Sequence, residues 1–179
     1  GSLNANFEIL SIISQSNSKV YQVRDINSTQ NYALKINELG FFGAPSASYT
    51  KEKKFRNLLN HSNIIKILET KDKELVADSS NTSNSKEVSM TLMEHAPYGD
   101  LTDYILKPKR AATSEKLART MFRQLVDAVE HLHGKNIVHF DIKGENILVG
   151  EDYKLKMCDF DNAIIFAEDK LTKEGIIDA

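Results

Sequence analysis

Apolar and polar positions alternate through the first third of the chain. Between residues 31 and 37, Tyr32, Leu34 and Ile36 alternate with Ala33 and Lys35, the two-residue period of a strand whose faces differ. Residues 7–13 and 19–24 are rich in Ile, Val, Tyr and Phe, and the polar run Ser14-Gln15-Ser16-Asn17-Ser18 between them predicts a hairpin. After a Gly/Pro/Ser-rich loop at 40–48, the pattern predicts a charged helix over 49–59, with Phe55, Leu58 and Leu59 on one side and mostly Lys and Glu opposite. Residues 64–68 and 88–93 read as two further strands. The polar tract Asp78-Ser-Ser-Asn-Thr-Ser-Asn-Ser85 between them cannot bury enough surface to offset the entropy of ordering, and is expected to be a mobile hairpin loop.

From Thr113 the period changes. Leu117, Met121, Leu125, Val129 and Leu132 recur at helical spacing, which predicts a long amphipathic helix stopped by Gly134. Residues 147–149 and 154–158 then read as short strands. A sheet-rich half therefore precedes a helical half, joined near 95–99, with no internal repeat.

Composition narrows the setting. The 179 residues are 41% hydrophobic and 27% charged, ordinary for one globular domain. Lys+Arg at 23 against Asp+Glu at 25 leaves a formal charge of -2, so no chain-wide basic field marks a partner as nucleic acid or anionic membrane. One cysteine, Cys158, can form neither an internal disulfide nor a Cys-rich metal site, and the expected compartment is reducing, the cytoplasm or nucleus. No apolar run approaches the ~20 residues of a spanning helix, and no signal-peptide pattern opens the chain. Gly1-Ser2 reads as the scar of a removed tag.

The densest set of reactive side chains is His139-Phe-Asp-Ile-Lys-Gly-Glu-Asn146, followed by Asp159-Phe160-Asp161. It places acids, a lysine and an amide on loops. Upstream, Ala33-Leu34-Lys35 lies on a predicted strand, Glu52 on the next helix, and Met93-Glu94-His95-Ala96 ends a strand. In this order the segments resemble the eukaryotic protein kinases of serine/threonine type. The family's H-R-D-x-x-x-x-N template is met with Phe140 as the one change, its V-A-I-K strand by Tyr32-Ala-Leu-Lys35, and its helix-C glutamate by Glu52 ahead of His61-Ser-Asn-Ile-Ile. Each match alone is common by chance; five in register are specific. The likeness runs from about Phe7 to Asp161.

The resemblance implies an α+β, protein-kinase-like two-lobed fold. Its N-lobe of antiparallel sheet plus helix C would span 3–94, a hinge 95–99, and a partial, mainly helical C-lobe 100–179 with the catalytic loop and the start of the activation segment. The implied cofactors are ATP and Mg²⁺, and the implied partner is a protein substrate. Phosphoryl transfer depends mainly on positioning and electrostatics, so each residue has a role of that kind. Lys35 would contact the α/β-phosphates, fixed by Glu52. Asp141 would orient the substrate hydroxyl as base, and Lys143, a serine/threonine-class feature, would meet the γ-phosphate. Asn146 and Asp159 are hard oxygen donors suited to Mg²⁺. Val20 and Ala33 would cover the adenine from above and Leu148 from below, with backbone groups of Glu94 and Ala96 bonding its edge and Ile12 a further ATP-binding position. Met93 would be the gatekeeper, Asp100 would meet the ribose, and Cys158 would line the same cavity.

Departures from the family bear on turnover. The glycines of its G-x-G-x-x-G-x-V turn are replaced by Ile13, Gln15 and Ser18, so a weakened grip on nucleotide is expected. Asp161 stands where the family has the glycine of D-F-G. A carboxylate about 7 Å from a phosphate charge costs roughly 2 kcal/mol at an effective dielectric near 20, unless a cation cancels it. Phe140 removes the arginine that pairs with activation-loop phosphate. Arg56 takes a position usually apolar and is expected to reach solvent or an acid. The chain runs from Asp161 to Ala179 without an A-P-E motif. The expected activity is a protein serine/threonine kinase; a pseudokinase that binds nucleotide or acts as a scaffold is the alternative, and a small-molecule kinase of similar fold the third reading.

Overall fold

The computed structural model describes residues 7–15, 18–78, 81–106 and 114–166. It divides into two units, Gly1–Asn57 with Lys66–His95, and Leu58–Ile65 with Ala96–Ala179. The expected α+β class is what forms.

The first unit is an antiparallel sheet of β1 (Phe7–Gln15), β2 (Lys19–Asp25), β3 (Asn31–Glu38), β4 (Ile67–Asp78) and β5 (Asn81–Glu94), in the order β1-β2-β3-β5-β4. The β2–β3 turn closes on Asp25, whose carboxylate accepts the Asn27 N–H and the Ser28 hydroxyl, both at 2.9 Å. Alternation along β3 sorts the sheet into two unlike faces. Tyr32 and Leu34 face Val23 and Leu92 in register, and these four buried side chains form an apolar cluster flanked by Phe7, Tyr21, Ile36, Leu68 and Met90. The other face carries the pairs Val20↔Lys35, Gln22↔Ala33, Ala33↔Met93, Lys35↔Thr91 and Asn37↔Ser89.

Helix α1 (Ala47–Leu58) supplies buried Tyr49, Glu52 and Phe55, spaced to share one stripe. The Tyr49 hydroxyl donates to Asp72 at 2.6 Å, and Lys53 closes on the same carboxylate at 2.7 Å, tying α1 to β4. Burial, with Asp72 beside it, pushes the Tyr49 phenol up, while Lys53 and then Tyr49 hold Asp72 below its ordinary value. Leu58 does not join Phe55 as expected; it is exposed, whereas Leu59 is buried. Arg56 reaches solvent.

Two strand assignments need correction. Residues 64 and 65 are outside β4. They are held by Met157 instead: Ile65 N–H donates to its carbonyl at 2.8 Å, and Met157 N–H donates to Asn63 at 2.9 Å. The polar tract at 78–85 is largely strand, with Ala77 opposite Ser85 and Asp78 opposite Asn81. Backbone pairing between long adjacent strands extends the ladder through polar sequence, because it is indifferent to side-chain type. Residues 79 and 80 of that tract lie outside the described residues.

The second unit is built on α3 (Glu115–His133), after the short helix α2 (Leu101–Leu106). Ser114 caps α3 by accepting the Leu117 N–H, and Met121, Ala128 and Leu132 form its buried stripe. Gly134 lies at the end of the helix in a right-handed conformation; the left-handed residue is Asn136, at φ 57°. Short strands follow: β6 (Ile137–Val138) pairs with β9 (Ile164–Ile165), and β7 (Ile147–Val149) with β8 (Leu155–Met157). Gln124 on α3 stitches this unit together, accepting from Asn63 Nδ2 at 2.7 Å and Leu155 N–H at 2.9 Å. No helix among the described residues is long and apolar enough to cross a membrane.

Candidate active site

In the first unit, Lys35 and Glu52 meet. Lys35 Nζ donates to Glu52 Oε1 at 2.5 Å and to Ser48 Oγ at 2.9 Å, and both charged side chains are mostly buried. Glu52 takes a second donor, the Thr91 hydroxyl, on Oε2 at 2.6 Å. A buried ion pair needs its remaining acceptors satisfied to be tolerated, and Thr91 does this. Ser48 and Thr91 lie outside the sequence expectations. Val20, Ala33 and Met93 share the sheet face of Lys35, with Ala33 buried and the others half-buried. Ile12 lies half-exposed on β1 opposite Tyr21, at an irregularity in the pairing. Glu94 is tied to Lys66 twice, its N–H donating to the carbonyl at 3.0 Å and its carboxylate accepting the Lys66 N–H at 2.7 Å.

The turn between β1 and β2 keeps Gln15 paired with Lys19, and Ile13, Gln15 and Ser18 avoid positive φ. At these three positions side chains are therefore held without backbone strain.

In the second unit, the loop after β6 gathers Asp141, Lys143 and Asn146. Lys143 Nζ donates to Asp141 Oδ2 at 2.9 Å. Asn146 Nδ2 donates to the Asp141 carbonyl at 2.8 Å and to the same Oδ2 at 2.9 Å. Lys143 first, with Asn146 adding, holds the Asp141 carboxyl below the usual carboxylate range against the opposing effect of desolvation, and Asp141 in turn holds the Lys143 ammonium up, with Glu145 and Asp159 adding at longer range. His139, buried, fixes the loop: its Nδ1 accepts the Asp141 N–H at 3.3 Å, leaving Nε2 to donate to the Cys158 carbonyl at 2.9 Å. Its ring lies 4.8 Å from that of buried Phe160. Phe140, at φ 60°, is held left-handed between these contacts with its ring 6.3 Å from Phe166.

Gly144 is where α2 presses on this loop. A Cβ there would lie 2.1 Å from Thr102 Oγ1, so any larger residue must displace Thr102. Asp100 caps α2, accepting the Asp103 N–H at 2.8 Å, and bridges Leu148 through backbone. Ala96 makes no backbone–backbone hydrogen bond among the described residues. Cys158 Sγ donates to the Asn146 carbonyl at 3.4 Å, so its thiol is engaged.

No group of three or more His, Cys, Asp or Glu side chains at metal-binding distance occurs among the described residues. A preformed cage is unnecessary for Mg²⁺, which keeps waters and takes few protein ligands. The donor set fits. Both amide hydrogens of Asn146 are spent on Asp141, which orients Oδ1 away as a free hard donor. Asp159 is exposed, at φ 59°, and among the described residues accepts only the Asp161 N–H, at 3.3 Å. No hydrogen bond joins Asp159 to Asn146. Asp161 has no positive φ, so the glycine of the family is not needed there for backbone reasons.

Compared with known proteins, the sequence matches the family described as "Protein kinase domain" over residues 12–177. It is similar to the "Probable serine/threonine-protein kinase MARK-C" of Dictyostelium discoideum, 32% identical over 79% of this chain and 17% of that protein. It is 34% identical to the mouse "NUAK family SNF1-like kinase 1" over 67% of the chain and 16% of that protein. With "Serine/threonine-protein kinase PKH3" of Eremothecium gossypii the identity is 32%, over 89% of the chain and 21% of that protein. The chain thus spans about a fifth of the length of these relatives or less.

Proposed function

The chain belongs to the protein kinase family, and from that premise we propose that it transfers the γ-phosphate of Mg-ATP to a serine or threonine hydroxyl of a protein. The observation that carries the reading is the Asp141–Lys143–Asn146 cluster, in which one carboxylate is held ionised beside an ammonium and an oriented amide. Asp141 Oδ1, which accepts no bond from the described residues, would take the hydroxyl proton; a positioned base of this kind contributes ~10²–10⁴-fold. Lys143 would meet the γ-phosphate and Lys35 the α/β-phosphates, with Glu52 aiming its ammonium. Asn146 and Asp159 would hold Mg²⁺, which supplies charge neutralisation on the phosphates. Val20, Ala33, Met93 and Leu148 would cover the adenine, with Glu94 and Ala96 backbone groups at its edge.

A second reading, a nucleotide-binding pseudokinase, is favoured by the glycine-free β1–β2 turn and by Asp161. Thermal shift with ATP, with and without Mg²⁺, and ³²P transfer to a generic protein substrate separate the two. Metal-dependent stabilisation with transfer abolished by Asp141→Asn supports the kinase. Stabilisation without transfer supports the pseudokinase, and no shift at all sinks nucleotide binding.

A further inference from the structure

The sheet face that carries Lys35 is unusually polar where it passes α1. Register sets Thr91 directly across from Lys35, and the next pair on the same face is Asn37↔Ser89. All three polar side chains Asn37, Ser89 and Thr91 are buried, the last two at 0% exposure. Asn37 Nδ2 and Ser89 Oγ have no hydrogen-bond partner among the described residues, whereas Thr91 spends its hydroxyl on Glu52 Oε2, the oxygen that Lys35 leaves open.

That bond crosses from the strand to the helix. A glutamate held by a single lysine keeps rotational freedom about its carboxylate torsion, which is broad. A second donor at 2.6 Å on the other oxygen removes it. Threonine is β-branched and stiff at χ1, so the donor is fixed by the sheet and does not travel with α1. Ser48, one turn before Glu52 on α1, bonds Lys35 but moves with the same helix, so it cannot serve as this anchor.

We infer that Thr91 is a positioning residue that latches α1 to the sheet through Glu52 and so aims the Lys35 ammonium. The latch itself stands on the geometry alone; its consequence for ATP rests on the phosphotransferase reading.

The experiment uses two independent readouts on the whole chain. Acetic anhydride at low conversion, followed by peptide mass spectrometry, reads the reactivity of Lys35 relative to Lys143 without nucleotide. Thr91→Val keeps the branched shape and removes the donor, and is expected to raise relative Lys35 acetylation about tenfold, the effect of losing a hydrogen bond to a charged group. Thr91→Ser restores the donor and is expected to return it to the wild-type value. ATP affinity by titration should fall by a similar factor in the valine variant and recover in the serine variant. Equal Lys35 reactivity in wild type and Thr91→Val, or no recovery with serine, overturns the latch. If the valine variant does not fold, Thr91→Ala carries the same comparison. Absence of ATP binding in the wild type overturns the nucleotide reading while leaving the acetylation result to decide the latch.

Discussion

Asn146 grips Asp141 with both hydrogens of its side-chain amide, one on the backbone carbonyl at 2.8 Å and one on Oδ2 at 2.9 Å. Both partners are acceptors, so the amide has one permitted orientation. Asn146→Asp keeps the shape but turns a carboxylate oxygen toward those acceptors, and two carboxylates sharing a site drive one of their pKa values up. The variant is expected to melt about 4 °C below wild type at pH 8 and to close most of that gap at pH 5, where one proton can bridge the pair. Equal deficits at both pH values would contradict the pairing.

Lys143 is the first cause of the depressed Asp141 carboxyl. A depressed carboxyl contributes stability above its unfolded value of 3.8, and that contribution is lost as pH falls through the lower folded value. The raised Lys143 ammonium contributes below 10.5 and loses its part as pH rises through the folded value. Lys143→Met is therefore expected to move the Asp141 titration upward, toward or above the ordinary carboxylate range. Carbon-detected NMR of the aspartate carboxyls measures the shift, and if phosphotransfer is observed, the acid limb of its pH profile should move the same way.

Gly144→Ala tests the approach of α2 to the loop that carries Asp141 and Asn146. The added Cβ would start 2.1 Å from Thr102 Oγ1 and 3.2 Å from the Thr102 backbone nitrogen, so rotating the threonine relieves only the first contact. Overpacking of this kind costs about 1–3 kcal/mol. Denaturant unfolding should show that loss, and Thr102→Ala combined with Gly144→Ala should recover part of it. A neutral single variant would mean the loop and α2 separate freely.

Much of this was legible from spacing. Lys35 sits on a clean two-residue alternation, and Asp141, Lys143 and Asn146 lie within one short segment, so local sequence holds nearly all of their geometry. Thr91 and Ser48 were not legible, because their importance comes from the fold bringing them to Lys35 and Glu52, and a threonine in a strand is ordinary β composition. Gln124 is hidden for the same reason: its partners, Asn63 and Leu155, are distant in sequence. Helix α2 and the two-residue strands β6 and β9 are too short to show a period. Leu58 was misplaced because helical phase near a terminus is set by what the next segment packs on, and that segment joins Met157. The polar tract at 78–85 misled because composition reports burial, while the ladder there is made by backbone.

Ser89→Ala is expected to stabilise the chain. The serine is fully buried on β5, and its hydroxyl finds no partner among the described residues. Removing a buried polar group that forms no hydrogen bond relieves its desolvation penalty, typically about 1–3 kcal/mol, and alanine leaves nearly the same volume without a clash. The net gain should be near the lower end, about 1 kcal/mol, or a rise in Tm of about 2–4 °C for a chain of this size. Thr91→Ala on the same strand is the control with opposite sign, because its hydroxyl is bonded to Glu52 and its loss strands a charged oxygen. Differential scanning calorimetry of the two variants reads both signs at once. A loss of stability in Ser89→Ala comparable to that in Thr91→Ala would show that the Ser89 hydroxyl is bonded in solution.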